Sequence, residues 1–239
     1  KSSWFAEKVG SQMRFAPTEQ QDQFASNIAS ILEKECSAEV LQLAGATSSG
    51  CVDGLWETLC ETGLMGIAIP EEFGGLDMGS SDLVFILEEL GRSACPEPVA
   101  EHAAVAAPLI TRWARNEMAQ EILEEAANGS RKLTVASPMD GRVVSVESCD
   151  LILISKENQL HAVTTKEIKH TPMTSIDPRY KTSVIDWTPS SQTLISENPE
   201  AIEDMTNRGA ISAAAQAVGV AQKLLDMTVS YVSERKQFG

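Results

Sequence analysis

Residues 206–239 read TNRGAISAAAQAVGVAQKLLDMTVSYVSERKQFG. Aliphatic side chains recur in this segment at intervals of three, four and seven residues, which is the spacing of a helix face. They are Ile211, Val218, Leu225, Val229 and Val232. No proline interrupts the segment, and the small residues at 213–219 permit close approach of a second helix. The segment therefore predicts a long helix, buried on more than one side within a helical bundle.

Helical periodicity also dominates the first half of the sequence. Thr18 and Gln21 have the spacing of a capping box, and an amphipathic helix is expected from there to about Glu35. Ser81 has the position of an N-cap, and Gly91 follows the apolar positions of that helix. Helices are predicted at 18–35, 52–62, 81–91, 99–110 and 116–127. The apolar stretch 63–75 is expected to be extended, because a proline and a glycine pair close it.

The pattern changes to a period of two between Leu133 and Ile195. Asp-Gly, Glu-Asn and proline-containing turns separate the apolar pieces. Strands are predicted at 133–136, 142–146, 151–154, 160–163 and 182–187. This segment predicts a small, mostly antiparallel β domain.

The order of helices, strands and a further helix predicts an α+β protein. We expect an N-terminal helical domain at 13–130, a β domain at 131–196, and the first helix of a C-terminal helical domain at 197–239. Residues 1–12 do not join the pattern and are expected to be a tail or foreign residues, with Met13 as a candidate native start.

The composition is that of an ordinary globular protein. A formal net charge of -15 argues against nucleic acid or an anionic membrane as partner. No apolar run approaches the roughly 18 residues of a membrane span, and the first residues lack the pattern of a signal peptide. A cytoplasmic protein is therefore expected.

The histidines and cysteines do not have the sequence spacing of a metal site or a redox site. The three histidines have no metal-ligand spacing, so we expect structural histidines and no metal site. The five cysteines are an odd number without a CxxC motif, so we expect free thiols.

Three motifs resemble the acyl-CoA dehydrogenase family. The helix from Ala215 to Gly239 has the form A-x-x-x-G-x-x-x-x-x-L-x-x-x-x-x-Y-x-x-x-R-x-Q-F-G, and its ending SERKQFG is the most specific part. The words GLMGIAIPEEFGG and FILEELGR match further motifs of that family. The resemblance implies the same three-domain architecture, cut off in its third part, with three or more helices expected beyond Gly239.

The resemblance also implies roles for the last residues. In the family, the corresponding residues reach across a subunit interface to the FAD of a neighbouring chain, which assigns cofactor contacts to Arg235, Gln237 and Phe238. A guanidinium can hold phosphate oxygens bidentately. The alternative interpretation is that cations at this position suit the negative end of a helix dipole.

Two features depart from the family pattern. The flavin-binding T-E-P-x-x-G-S-D loop is replaced by VASPMDG at 135–141, and the later W-I-T-N strand is missing. We therefore expect that this β domain does not hold a flavin ring. Gly209 stands at one position where family members carry the catalytic glutamate, so no base is identified. Glutamates of the other two motifs are interpreted as solvated acids, namely Glu71, Glu72, Glu88 and Glu89.

Shortened β domains of this kind resemble those of heteromeric actinobacterial acyl-CoA dehydrogenases. The resemblance implies an α2β2 enzyme that desaturates an acyl-CoA thioester, with a steroid side-chain ester as one candidate substrate and a related chain as partner. The second hypothesis is a non-catalytic scaffold or regulatory subunit that binds no flavin. A conventional homotetramer with its own FAD is the third.

Overall fold

The computed structural model describes residues 16–114, 117–235 and 237. Six α-helices precede the first strand: α1 Glu19–Glu35, α2 Ala38–Gly45, α3 Leu55–Glu61, α4 Ser80–Arg92, α5 Ala107–Trp113 and α6 Glu117–Ala127. A π-helical segment, Ala100–Ala106, leads directly into α5. The stretch predicted to be extended contains two short 3-10 turns, Leu64–Gly66 and Glu71–Phe73.

Local sequence signals predicted the N-terminus of α1 correctly but not that of α4. The capping box of α1 is present: the Gln21 amide N–H donates to Thr18 Oγ1 at 3.3 Å, and the Thr18 amide donates to Gln21 Oε1 at 2.8 Å. The N-cap predicted at Ser81 is wrong. Helix α4 starts earlier, and the Asp82 carboxylate accepts from the Gly79 amide at 2.8 Å. The N-cap residue is Gly79, which has no side chain to accept from the first helical amides.

Seven strands form two small sheets. The strands are β1 Leu133–Val135, β2 Arg142–Val144, β3 Leu151–Lys156, β4 Gln159–Thr164, β5 Lys169–Met173, β6 Thr182–Asp186 and β7 Leu194–Ser196. One sheet has the order β1-β3-β4-β7 and the other β2-β6-β5. Only β1 and β3 run parallel among the described pairs, so the expectation of mostly antiparallel strands is confirmed.

The main core lies under the N-terminal helices and extends to the first sheet and to the last helix. Its largest fully buried side chains come from α1, α3, α4, α5 and the turn after α3, and they include Ile28, Leu32, Leu55, Leu59, Met65, Ile86, Leu109 and Ile110. A smaller cluster around Val143, Ile152 and Val163 lies between the two sheets. The predicted apolar positions of the N-terminal helices therefore form one core.

The last helix, α7, runs from Glu200 to Glu234. It packs mainly along α4 and also contacts the π-helical segment, and its buried residues form a narrow strip, namely Ala201, Met205, Ser212, Ala215 and Gly219. The prediction that this helix is buried on more than one side is wrong for the described chain. Its aliphatic stripe lies on the uncovered face, where five residues are 53–61% exposed, namely Ile211, Val218, Leu225, Val229 and Val232. No helix of the described residues is both long and apolar enough to cross a membrane.

The domain bounds stay a prediction, and the segment 1–12 lies outside the described residues.

Candidate functional site

Arg235 and Gln237 lie together at the exposed end of α7. The Arg235 amide donates to the Tyr231 carbonyl at 3.0 Å and closes the helix. Its guanidinium lies 5.2 Å from the centre of the Tyr231 ring and hydrogen-bonds the phenol oxygen. In the amide orientation that satisfies its hydrogen bonds, the Gln237 side-chain oxygen accepts from Arg235 Nε at 2.9 Å and Nη2 at 3.2 Å. Phe238, the third predicted contact, lies outside the described residues.

The Arg235 guanidinium has no acidic partner among the described residues, in contrast to Arg92, Arg112, Arg131, Arg142, Arg179 and Arg208. A guanidinium held by neutral groups keeps its full charge for an anion. The end of α7 is therefore chemically suited to phosphate oxygens from outside this chain.

The loop between β1 and β2 occupies the place of the family's flavin-binding loop and is closed on itself. The Ala136 amide donates to the Leu153 carbonyl at 2.8 Å, and the Ser137 amide donates to the Arg142 carbonyl at 2.7 Å. The Gly141 amide returns to the Ser137 carbonyl at 2.8 Å. Asp140 then accepts from the Arg142 amide at 3.2 Å and from its Nε at 2.7 Å. These amides are all used within the chain, so they cannot also donate to a flavin ring.

A groove lies between α4, the π-helical segment, α7 and the loop 177–180. Its cavity volume is about 280 Å³. The walls are mostly apolar, and they include Leu90, Gly91, Val144, Ala217 and Val220. The polar side chains in the walls are Glu97, Glu101, Ser145, Asp177, Arg179, Tyr180 and Gln216. An apolar cavity with a few polar groups is typical of a small-molecule site.

Two of the charged side chains in this groove already pair with each other. Arg179 forms a two-pronged contact with Asp177, at 3.0 Å from Nε to Oδ1 and 2.8 Å from Nη2 to Oδ2. This contact lowers the pKa of Asp177 and raises that of Arg179. Burial raises the pKa of Glu101, which has no basic partner there.

Sequence reasoning missed Glu101 as a candidate residue. Its only local signal is a single acid in the alanine-rich run PVAEHAAVAA. The neighbouring residue, His102, faces the opposite way and is fully buried. The His102 Nδ1 accepts from the Leu133 amide at 3.0 Å, so Nε2 carries the proton and donates to the Ala126 carbonyl at 3.1 Å. His102 is therefore a structural histidine, as predicted.

Gly209, at the family position for a base, lies in α7 with open space where a side chain would begin. The acids of the EELGR motif lie on α4, and burial raises the pKa of Glu89, with Arg92 opposing that shift. Neither Glu88 nor Glu89 lines the groove. No three metal-ligating side chains of the described residues come together.

Comparison with known proteins agrees with this architecture. Residues 18–130 match the family model "Acyl-CoA dehydrogenase, N-terminal domain". The acyl-CoA dehydrogenase IpdE2 of Mycolicibacterium smegmatis is 28% identical over 223 residues, which cover 93% of this chain and 67% of that relative. FadE34, an acyl-CoA dehydrogenase of Mycobacterium tuberculosis, is 29% identical over 76% of this chain and 26% of its own length.

Two solved structures have the same fold. A variant of the Tcur3481-Tcur3483 steroid ACAD superposes with a TM-score of 0.82 at 24% identity, over 92% of this chain and 68% of that one. The ChsE4-ChsE5 complex from Mycobacterium tuberculosis gives a TM-score of 0.83 at 20% identity, over 95% and 70%. The matched relatives, the family model and the helix-strand-helix order lead to one conclusion: residues 18–130 match the N-terminal domain of acyl-CoA dehydrogenases, and the described chain has the fold of that family.

Proposed function

We propose that the chain is one subunit of a heteromeric, flavin-dependent acyl-CoA dehydrogenase. In this proposal a related partner chain holds the flavin ring, and Arg235, Gln237 and Phe238 of this chain contact the phosphate and adenine part of the partner's FAD. The observation that carries the proposal is a contrast within the chain. The Ala136, Ser137 and Gly141 amides of the β1–β2 loop donate within the chain, whereas the Arg235 guanidinium has no acidic partner among the described residues.

The end of α7 suits the phosphate part of FAD, whereas the β1–β2 loop does not suit its flavin ring. The exposed Arg235 guanidinium, oriented by Tyr231 and Gln237, suits a pyrophosphate because guanidinium N–H groups match phosphate oxygens. The β1–β2 loop already uses its Ala136, Ser137 and Gly141 amides within the chain, so no step is assigned to the flavin ring in this chain's β domain. FAD, when bound by the complex, would accept the hydride from the β carbon of the thioester.

The proposed reaction is α,β-desaturation of an acyl-CoA thioester. The α proton must then be removed by a carboxylate within hydrogen-bond reach. Gly209 provides no such group, and we assign this step to no described residue of this chain. A steroid-derived CoA ester is the proposed substrate class, supported by the neighbouring structure named as a steroid ACAD.

The closed loop and Gly209 also favour a second candidate, a scaffold subunit whose complex binds no flavin through this chain. Flavin content distinguishes the two. The chain is purified alone and after coexpression with a related acyl-CoA dehydrogenase chain, and flavin absorbance and native mass are measured. We expect a colourless single chain and a yellow complex with about one FAD per pair of chains. A complex without flavin would favour the scaffold, and a yellow single chain would favour a homotetramer with its own FAD.

A further inference from the structure

We infer that Cys36 and Cys95 form a redox-sensitive thiol pair, which hydrogen peroxide oxidises to a disulfide between the end of α1 and the segment after α4. All five cysteines of the chain are free thiols in the structure, as expected from the sequence. Oxidation of this pair requires no flavin, so the modification site is independent of the proposed function.

The chain reverses its direction directly after α4, and this reversal fixes the position of Cys95. Ala94 has a left-handed backbone, with a φ of 50°. The Cys95 amide donates to the Leu90 carbonyl at 3.0 Å, and the Ala94 amide donates to the Gly91 carbonyl at 3.0 Å. This pair of hydrogen bonds around a left-handed residue is a common helix ending, in which glycine usually takes the left-handed position. Cys95 therefore has a defined backbone position at the end of α4.

Cys36 has an equally defined position at the end of α1. Its amide donates to the Leu32 carbonyl at 2.8 Å. The next residue, Ser37, is the N-cap of α2, so Cys36 lies at the corner between two helices. Helices α1 and α4 pack against each other, and both cysteines pack against the main core. The packing of the two helices thus brings their C-terminal ends, and the two cysteines, to one place.

The two thiol groups contact each other and can be reached by a small oxidant. The Cys95 thiol hydrogen-bonds the Cys36 sulfur. Cys36 also lines a cavity of about 540 Å³ together with Ser93 and Ala94, which independently places its side chain beside the segment that carries Cys95. Both cysteines are half-buried. Cys95 in turn lines the groove between α4, the π-helical segment and α7, so the disulfide would form in one wall of the candidate site.

The surroundings of the two sulfurs assign them different roles. The hydrogen bond from Cys95 lowers the pKa of Cys36 despite the opposing effect of burial. The Arg179 guanidinium also lowers it, whereas two nearby acids raise it, namely Glu97 and Glu35. The same hydrogen bond raises the pKa of Cys95, and burial adds to this effect. Because the thiolate is the reactive form, Cys36 attacks the oxidant and Cys95 resolves the product.

The oxidation takes two electrons from the two thiols. The Cys36 thiolate attacks one oxygen of hydrogen peroxide, so that an S–O bond forms, the O–O bond breaks, and the departing hydroxide takes up a proton to become water. The Cys95 thiol then gives up its proton and attacks the sulfur of the Cys36 sulfenic acid. The S–S bond forms, the S–O bond breaks, and the second hydroxide leaves with that proton as water. One disulfide and two waters are the products.

The test treats the purified full-length protein that contains this chain with hydrogen peroxide, blocks the remaining thiols with N-ethylmaleimide, and identifies linked peptides by mass spectrometry. Trypsin and a glutamyl endopeptidase are used together. Cleavage after Glu39 separates Cys36 from Cys51, and cleavage after Arg92 separates Cys95 from the cysteines before it. We expect a Cys36–Cys95 peptide that is two hydrogens lighter than the sum of its two parts, and dithiothreitol should restore both thiols.

Substitutions test the two roles separately. Cys95→Ser should lose the linked peptide and accumulate a sulfenic acid at Cys36, which dimedone captures, whereas Cys36→Ser should lose the link and keep Cys95 reduced. Cys95→Ala replaces the serine variant if serine prevents folding at this half-buried position. Cys60→Ser is the matched control, because Cys60 is half-buried as well but outside the pair, and it should keep the link.

The wild-type protein alone can overturn the inference. Peroxide treatment that leaves both thiols free, or that carries Cys36 on to a sulfinic acid without a link, would contradict the pairing. A predominant disulfide between any other two cysteines would contradict it as well. Each of these results leaves the proposed function standing, because flavin content and native mass are measured under reducing conditions.

Discussion

Gly219 of α7 lies directly against the backbone carbonyl of Glu88 in α4, so that a Cβ at position 219 would overlap the carbonyl oxygen. The same close approach recurs about one turn away along α4, where Gly91 meets the carbonyl of Gln216. Two helix backbones can approach this closely only where one of them has no side chain. The position of α7, and with it one wall of the groove, therefore depends on these two glycines.

Gly219→Ala should destabilise the fold by about 2 kcal/mol or more, because the added methyl must push α7 away from α4. Gly209→Ala is the matched control in the same helix, since a Cβ there meets open space. The control should gain about 0.5–1 kcal/mol from helix propensity. Urea denaturation monitored by circular dichroism measures both changes. Equal stability of the two variants would show that α4 and α7 do not pack as described.

Asp204 links α7 to α5, and its side chain should contribute more to the free energy of unfolding than an exposed ion pair does. Its carboxylate accepts from Arg112 at 3.3 Å, Trp113 at 3.0 Å and Arg208 at 2.9 Å, and its side chain is 14% exposed. Asp204→Ala leaves three donors without their acceptor, and we expect a loss of about 1–3 kcal/mol in the free energy of unfolding.

The control for Asp204 is Asp226→Ala. Asp226 pairs with Arg92 at 2.6 Å, but the two side chains are 41% and 35% exposed. Water and salt screen such a pair, so its removal should cost less stability than the loss of Asp204. A larger loss for Asp226→Ala than for Asp204→Ala, measured in the same denaturation series, would contradict the role assigned to the buried network.

His102 should make stability depend on pH. Burial lowers its pKa from the usual 6.5 to about 4. Between these two values the unfolded chain binds a proton that the folded chain does not, so stability falls as pH decreases through this window. The full loss amounts to about 3 kcal/mol below pH 4. His102→Gln should reduce this slope, measured as the free energy of unfolding at several pH values, while His170→Gln should keep it. An unchanged slope in His102→Gln would exclude His102 as its source.

The regular elements could be predicted from local patterns, and the shorter ones could not. The apolar spacing and the Thr18 capping box identify α1 because both signals lie within the helix. Strand β5 was missed because its sequence, KHTPM, contains no alternating apolar positions and its side chains are largely exposed. Strand β7 has three residues, too few for a period to appear. Helix α2 lies between the first two predicted helices, where no element was expected, and Ser37 caps it.

The residues of the candidate site also differ in whether the sequence could identify them. Arg235 and Gln237 belong to one contiguous motif, so the resemblance could identify them before any contact was known. Glu101 lines the groove together with Tyr180 and Gln216, which follow it by about 80 and 115 positions, so no local pattern could identify it. The burial of α7 was overpredicted because an apolar stripe indicates a buried face without saying which chain or segment covers it.

Arg235→Ala should weaken retention of FAD by the assembled complex while leaving its native mass unchanged. The physical reason is loss of a charge-assisted contact to phosphate, worth about 1.5–3 kcal/mol, or about 10–100-fold in the FAD dissociation constant. Arg142→Ala is the control, because the Arg142 guanidinium is already paired with Asp140 within the β1–β2 loop. FAD release is followed by flavin fluorescence after dilution. Unchanged retention in Arg235→Ala would contradict the shared cofactor site, and a loss confined to Arg142→Ala would place the flavin in this chain's own β domain.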